Sequence, residues 1–350
     1  MLLKANAYGH GLEEIAKLAK ICGVKKFFVF NMEEALQFRM LGHMENIVVM
    51  GYVHPGNFKN LLEYDIQIAL SSLDSVKSLV SYCKNVEKQP KVHLKFDTGF
   101  NRQGVKENDY AELGELLKNN RCLRVEGIMT HFSVADEPSE KLFTEEQIFR
   151  FNKCVEFMSG INITYKYQHL SNTAATMLYP DSNVDVARIG LGQFGLWPSE
   201  SVKNILNQHN SDNVKKIELF PVLTWKTMLI QIKRLARGES VGYGRTFKAE
   251  NDMIIGVLPV GYADGLDRGL SNEGNVIVAG KRAPIIGRIS MNLTTIDLSN
   301  IQNVNVGDEV VLIGRQGSEE ISADELAGKL NTINYEVVTR INRATHRSIV

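Results

Sequence analysis

The first 200 residues alternate short apolar runs with amphipathic stretches, and this alternation limits the fold more than any other feature. Apolar runs lie at residues 2–4, 26–29, 46–50, 67–70, 92–96, 125–130, 164–169 and 184–188. Helical patterns lie between most of them, at 32–40, 73–83, 110–118 and 145–158. Strands that alternate with helices predict a parallel sheet, because parallel neighbours must be joined by a long crossover. Eight such units fit a closed (β/α)₈ barrel. A doubly wound open sheet satisfies the same pattern.

The character changes near residue 205. Residues 204–216 are polar and Asn-rich. Beyond them, β-type segments follow at 222–232, 252–259, 274–278, 285–297 and 309–313, punctuated by Gly and Asp-Gly or Gly-Asp. One helix is expected at 322–330. The chain therefore divides into a barrel-type domain, 1–205, and a mainly β domain, 206–350. A length of 350 residues suits one large and one medium domain.

Composition excludes several classes. Forty basic and forty acidic residues leave no net charge, so nothing marks a nucleic-acid or anionic-membrane partner. No apolar run reaches membrane-span length. Cys22, Cys83, Cys122 and Cys154 are scattered without CxxC or metal-ligand spacing, so buried free thiols and no metal are expected. The first residues lack a basic region followed by a long apolar core, so no secretory signal is read and a cytoplasmic protein is expected.

The opening segment, LLKANAYGHG at 2–11, carries chemistry. A short apolar run delivers Lys4 into small residues, with a tyrosine four positions on and then Gly-His-Gly. Burial disfavours an ammonium and makes a neutral, nucleophilic amine more accessible, as a Schiff-base lysine requires. A lysine facing solvent just past a strand end is the alternative from these residues alone.

This segment resembles the pyridoxal-phosphate (PLP) lysine motif of alanine racemases. The likeness extends through KFDTGFNRQGV (95–105), MTHFSVADEP (129–138), HLSNTAA (169–175), ARIGLGQFGLWPS (187–199), VGYGRTF (241–247), LPVGYADGLDR (258–268), GRISMN (287–292) and NTINYE (331–336). These motifs stand in the family's order and cover almost the whole chain. The resemblance implies the barrel rather than the open sheet, with a mainly β C-terminal domain.

It also implies roles. Lys4 is the lysine that carries PLP and one catalytic base; Tyr243 is the second base. Two bases on opposite sides of one carbon can remove and return a proton directly. Arg188 partners the pyridine nitrogen. An arginine holds its proton too tightly to share it, which leaves that nitrogen a weaker electron sink and disfavours transamination. His131 bridges Arg188 and the Tyr243 hydroxyl. Tyr8, Asn172, Thr173, Gly190, Leu191 and Tyr335 bind the cofactor, largely at its phosphate. Arg102 lies near the cofactor oxygen and the substrate carboxylate, and Met291 meets that carboxylate. Tyr262 guards the mouth of the site. Lys95 matches a lysine that the family carboxylates, which turns a cation into an anion able to hold Arg102. Thr173, Ile189 and Asn292 stand where the family more often has serine, proline and aspartate.

The implied function is PLP-dependent interconversion of L- and D-alanine, supplying D-alanine for peptidoglycan. Tyr243, Tyr262 and Met291 reach the partner's cofactor in the family, so a homodimer with shared sites is expected, with a small amino acid as substrate. Serine, lysine or broad-specificity racemases, and a non-catalytic PLP-binding protein, are the alternatives. Relatives carry about thirty residues before the lysine motif, so a fragment or a displaced start is expected.

Overall fold

The computed structural model describes residues 1–208 and 217–350. They form two compact units: Met1–Ala7 with Leu12–Phe220, and Tyr8–Gly11 with Pro221–Val350. Most of the polar 204–216 stretch lies outside the described residues; its start, through residue 208, closes a helix, Glu200–Gln208.

The first unit is built on a parallel sheet with strands in consecutive order. They are β1 (Lys26–Val29), β2 (Asn46–Val49), β3 (Gln67–Leu70), β4 (Lys91–Lys95), β5 (Arg124–Met129) and β6 (Tyr167–His169). Phe27, Phe28, Ile47, Val48, Ile68, Val92, Leu94 and Ile128 are buried along them. Helices return the chain between strands, and local chemistry sets their starts. Asn31 caps Met32–Met40 by accepting from the Glu34 amide. Ser72 and Ser75 form a reciprocal capping box at Leu73–Cys83.

Two of the eight expected strands are not regular. Residues 2–4 form a single parallel bridge, Leu2 to Phe28. Residues 184–188 form no ladder and remain irregular. Both nevertheless continue the hydrogen-bond circuit. Leu3 N donates to Phe28 O at 2.8 Å, Leu2 N to Ile189 O at 3.1 Å, and Val186 N to Gln168 O at 3.2 Å. The barrel therefore closes through single bonds at its seam, as a (β/α)₈ architecture requires.

The first segment is cut short by its own backbone. Ala5, Asn6, Ala7 and Tyr8 all have φ near +54°. Four successive L-residues in the left-handed region store roughly 4–8 kcal/mol. Local bonds hold the turn: Ala7 N reaches Leu3 O at 2.8 Å, and Asn6 Oδ1 accepts from Leu12 N at 2.9 Å.

The second unit is mainly antiparallel. Its strands are β7 (Trp225–Met228), β8 (Gln231–Leu235), β9 (Ser240–Val241), β10 (Phe247–Lys248), β11 (Met253–Leu258), β12 (Asn275–Val278), β13 (Lys281–Pro284), β14 (Thr294–Asp297), β15 (Glu309–Gln316) and β16 (Glu319–Ile321). One sheet runs β14-β11-β8; another runs β13-β12-β15-β16, with β7 also on β15. The expected strand 222–232 is split into β7 and β8. In the expected strand 285–297, only Thr294–Asp297 forms a ladder, while Ile285 makes one bridge. Leu235, Val241, Ala249, Ile255 and Ile286 pack into one apolar cluster. Of the cysteines expected to be buried, Cys83 and Cys154 are; Cys22 is exposed and Cys122 half-buried, because they follow helix and loop ends. Among the described residues, no helix is long and apolar enough to cross a membrane, and no acidic, His or Cys cluster could hold a metal.

Candidate active site

The C-terminal ends of the barrel strands gather the charged residues. Lys4 follows the first segment, Lys95 ends β4, His131 follows β5, Asn172 follows β6 and Arg188 ends the last segment. Arg188 is 2 % exposed. Its Nη2 donates to Thr130 O at 2.6 Å, Leu170 O at 2.9 Å and His131 Nδ1 at 3.2 Å. Its Nη1 donates to His169 O at 2.5 Å and His169 Nδ1 at 3.1 Å. A planar fork is thereby fixed in one orientation.

The electrostatics follow from this crowding. Burial lowers the Lys4 amine below its usual value; Arg102 lowers it further and Glu34 opposes. Lys95 is pushed down to about 8, by burial first, then by Arg102 and Arg188. His131 lies well below the ordinary histidine value, through burial and then Arg188. It is a neutral imidazole, and because arginine only donates, its Nδ1 accepts and its Nε2 carries the hydrogen. Arg102 stacks its guanidinium 4.1 Å from the Phe100 ring, and Phe100 lies 5.6 Å from the His131 ring.

A second group sits at the β6 end. Asn172 caps Thr173–Leu178, its side chain accepting from Ala175 N at 2.9 Å. The Thr173 hydroxyl accepts from Gly190 N at 3.0 Å, so Thr173, Gly190 and the adjoining Leu191 are neighbours.

The remaining expected residues belong to the second unit. Tyr8 and Tyr335 lie with ring centroids 6.1 Å apart. Tyr262 N donates to Ser290 O at 3.1 Å, and Ala263 N to Met291 O at 2.9 Å, so the Tyr262 and Met291 loops adjoin. Gly261 makes this possible: a Cβ there would lie 2.1 Å from Ser290 O. Tyr243 sits on a turn between Gly242 and Gly244, both at positive φ, and is 71 % exposed.

Sequence reading missed three supporting residues. Glu34 accepts from Phe30 N at 2.9 Å and Asn6 N at 3.4 Å, bracing the turn after Lys4. Gln147 donates to His131 O at 3.2 Å and accepts from Ser133 N at 3.0 Å, fixing the loop that carries His131. His169 touches Arg188 through both its ring Nδ1 and its carbonyl oxygen, a contact that the HLSNTAA motif does not reveal. A glutamate or glutamine inside an amphipathic helix carries no periodic signal of such a bond.

A barrel with a buried lysine of lowered basicity at its strand ends, followed by an antiparallel domain, is the architecture of a two-domain barrel enzyme. The sequence comparisons specify it further. The family model for the alanine racemase N-terminal domain matches residues 1–198, and that for the C-terminal domain matches 222–349. The alanine racemase of Halothermothrix orenii is 37% identical over 346 residues, 99% of this chain and 88% of that protein. That of Leptospira interrogans is 36% identical over 351 residues, 100% of this chain and 88% of that protein. The structure of alanine racemase from Bacillus anthracis with bound L-Ala-P superposes with a TM-score of 0.89 at 32% identity, covering 97% of this chain and 85% of that one. Histidine racemase from Leuconostoc mesenteroides gives 0.87 at 30% identity, covering 100% of this chain and 90% of that one. The chain belongs to the alanine racemase family.

That family is PLP-dependent, and the donor set here suits the cofactor. Lys4 supplies an amine of lowered basicity, Arg188 a fixed donor fork, and the Thr173–Gly190 pair a hydroxyl beside a backbone amide. No metal-type ligand set competes among the described residues.

Proposed function

We propose that this chain is an alanine racemase that interconverts L- and D-alanine and supplies D-alanine for peptidoglycan in the cytoplasm. The observation that carries the reading is the convergence of Lys4, Lys95, Arg102, His131 and Arg188 at the strand ends of the barrel. Lys4 would hold PLP. Asn172, Thr173, Gly190, Leu191, Tyr8 and Tyr335 would hold it too, largely at its phosphate, and Arg188 would face its ring nitrogen. Bound PLP would withdraw electrons from the amino acid's α-carbon and so acidify its C–H.

The protein's own groups then do the proton work. Lys4 takes or returns the α-proton on one face, and Tyr243 of the partner subunit serves the other. His131 donates its Nε2–H toward the tyrosine oxygen and so favours the phenolate that a base requires. Arg102 and Met291 receive the substrate carboxylate, and Tyr262 restricts the mouth. Lys95, buried among cations, suits carboxylation: its neutral amine adds to CO₂ and loses one proton, leaving a carbamate anion beside Arg102. The active form is a homodimer with shared sites, and the PLP-binding barrel gives way to the β domain near residues 205–206.

A broader substrate range is the second reading, favoured by the likeness to a histidine racemase. A panel of L-alanine, L-serine, L-lysine and L-histidine, each incubated with protein and PLP and followed by chiral chromatography, separates the two. Fastest racemisation of alanine supports the first reading; no racemisation of any of them overturns both.

A further inference from the structure

A buried chain of side-chain hydrogen bonds crosses the barrel interior from Arg188. His169 Nδ1 lies 3.1 Å from Arg188 Nη1. His169 Nε2 lies 2.8 Å from His93 Nδ1. His93 Nε2 lies 2.9 Å from Gln67 Oε1, and Gln67 Nε2 lies 3.3 Å from Asn46 Oδ1. His93 and His169 are fully buried and Gln67 is 3 % exposed.

The chain can run in one direction only. A guanidinium has no acceptor, so His169 Nδ1 must accept and His169 Nε2 must carry the hydrogen. His93 Nδ1 then accepts and its Nε2 donates to the Gln67 carbonyl oxygen. The opposite orientation would set two N–H groups against each other at Arg188. Each imidazole dipole therefore turns its negative end toward the guanidinium. The packing makes room for this: Gly127 pairs with His93 across β4 and β5, and a Cβ there would lie 2.6 Å from His93 Nδ1.

We infer that His93 and Gln67 are positioning residues for Arg188: they fix the hydrogen of His169 on Nε2 and so keep an acceptor facing the guanidinium. Burial and neighbouring cations hold both imidazoles neutral, His93 down to about 3. The functional consequence rests on the racemase reading. With its fork fixed, Arg188 would face the cofactor's ring nitrogen and keep solvent protons from it. With the fork displaced, that nitrogen can be protonated, the electron sink deepens, and transamination competes. In that side reaction alanine and PLP give pyruvate and pyridoxamine phosphate. The amino group would pass to the cofactor, one water would supply the pyruvate carbonyl oxygen, and the Lys4 amine would be released.

The first test is made on the wild-type protein with ¹⁵N-labelled histidine. Long-range ¹H–¹⁵N NMR at neutral pH should report Nε2–H tautomers for both His93 and His169. An Nδ1–H tautomer or a charged ring at either would overturn the inference, whether or not the protein racemises alanine. The second compares Gln67→Leu, which removes the terminal acceptor, with Gln67→Glu, which keeps one. Pyruvate formed per racemisation turnover should rise roughly 2–10-fold in the leucine variant, the worth of one hydrogen bond between neutral groups. The glutamate variant should bring it back toward wild type. A folded leucine variant with unchanged partition, or an equal rise in both variants, would contradict the role.

Discussion

Arg188 and His131 are joined by a hydrogen bond of 3.2 Å whose direction is set by chemistry, since the guanidinium can only donate into Nδ1. His131 consequently presents Nε2–H outward from that contact. It is equipped to donate to a phenolate and not to receive a proton from a phenol. Arg188 thus donates into both histidines it touches, His131 on one side and His169 on the other.

The neutral histidines make stability depend on pH. His93 and His169 titrate below an unfolded histidine's value of about 6.5. Between their folded values and 6.5 the unfolded chain binds more protons, so stability is full above about pH 6.5 and falls as the pH drops through that window. Each group contributes up to about 1.4 kcal/mol per pH unit. Urea midpoints should fall steadily from pH 6.5 to 5, before most carboxylates titrate, and less steeply in His93→Gln. A flat profile over that range would contradict the burial of neutral rings.

One close backbone approach should tolerate no side chain, and an open glycine of similar backbone serves as its control. Gly9 has φ +80° and a Cβ there would lie 1.8 Å from Val338 O, whereas Gly23 has φ +75° with nothing within 4 Å. Gly23→Ala should cost about 1–2 kcal/mol for the left-handed backbone alone. Gly9→Ala should cost at least about 2 kcal/mol more in denaturant unfolding, because backbone must move. Equal losses would show that the approach is not tight.

Lys95 should take up carbon dioxide. Its value near 8 leaves a fraction of neutral amine at pH 7, and its cationic neighbours favour an anion in its place. Equilibration with ¹³C-bicarbonate should give a carbamate carbon signal that Lys95→Gln lacks. The same signal in both proteins would place the carbamate elsewhere.

The proposed sharing of sites between subunits predicts complementation. Lys4→Ala and Tyr243→Phe chains should each be nearly inactive. After subunit exchange, one site of a mixed dimer holds both defects and the other holds neither, so activity should return. No recovery, with mixed dimers demonstrated, would count against sharing.

The sequence marked what is periodic and lost what is singular. Met32–Met40 and Leu73–Cys83 match the expected helices, which the helical pattern between apolar runs marked; the caps at Asn31 and Ser72 are seen in the structure. Residues 2–4 and 184–188 look like strands because they are apolar, yet each bonds through isolated contacts at the barrel seam. The left-handed turn at Ala5–Tyr8 defies propensity, since alanine, asparagine and tyrosine give no glycine-like signal. The chemistry-bearing motifs stood out by resemblance. The His93–Gln67 chain did not, because single inward polar residues on neighbouring strands have no pattern of their own.

Racemisation by two bases on opposite faces predicts a distinctive pattern of isotope exchange. Tyr243→Phe keeps the ring and removes the proton acceptor. Its racemisation must fall equally from either enantiomer, because the two alanines have equal free energy. α-Proton exchange in D₂O need not fall equally. With PLP bound, the variant should still exchange D-alanine through Lys4, while exchange from L-alanine falls by roughly 10²–10⁴-fold. Equal loss from both enantiomers would contradict the two-base account and leave Lys4 as the sole base.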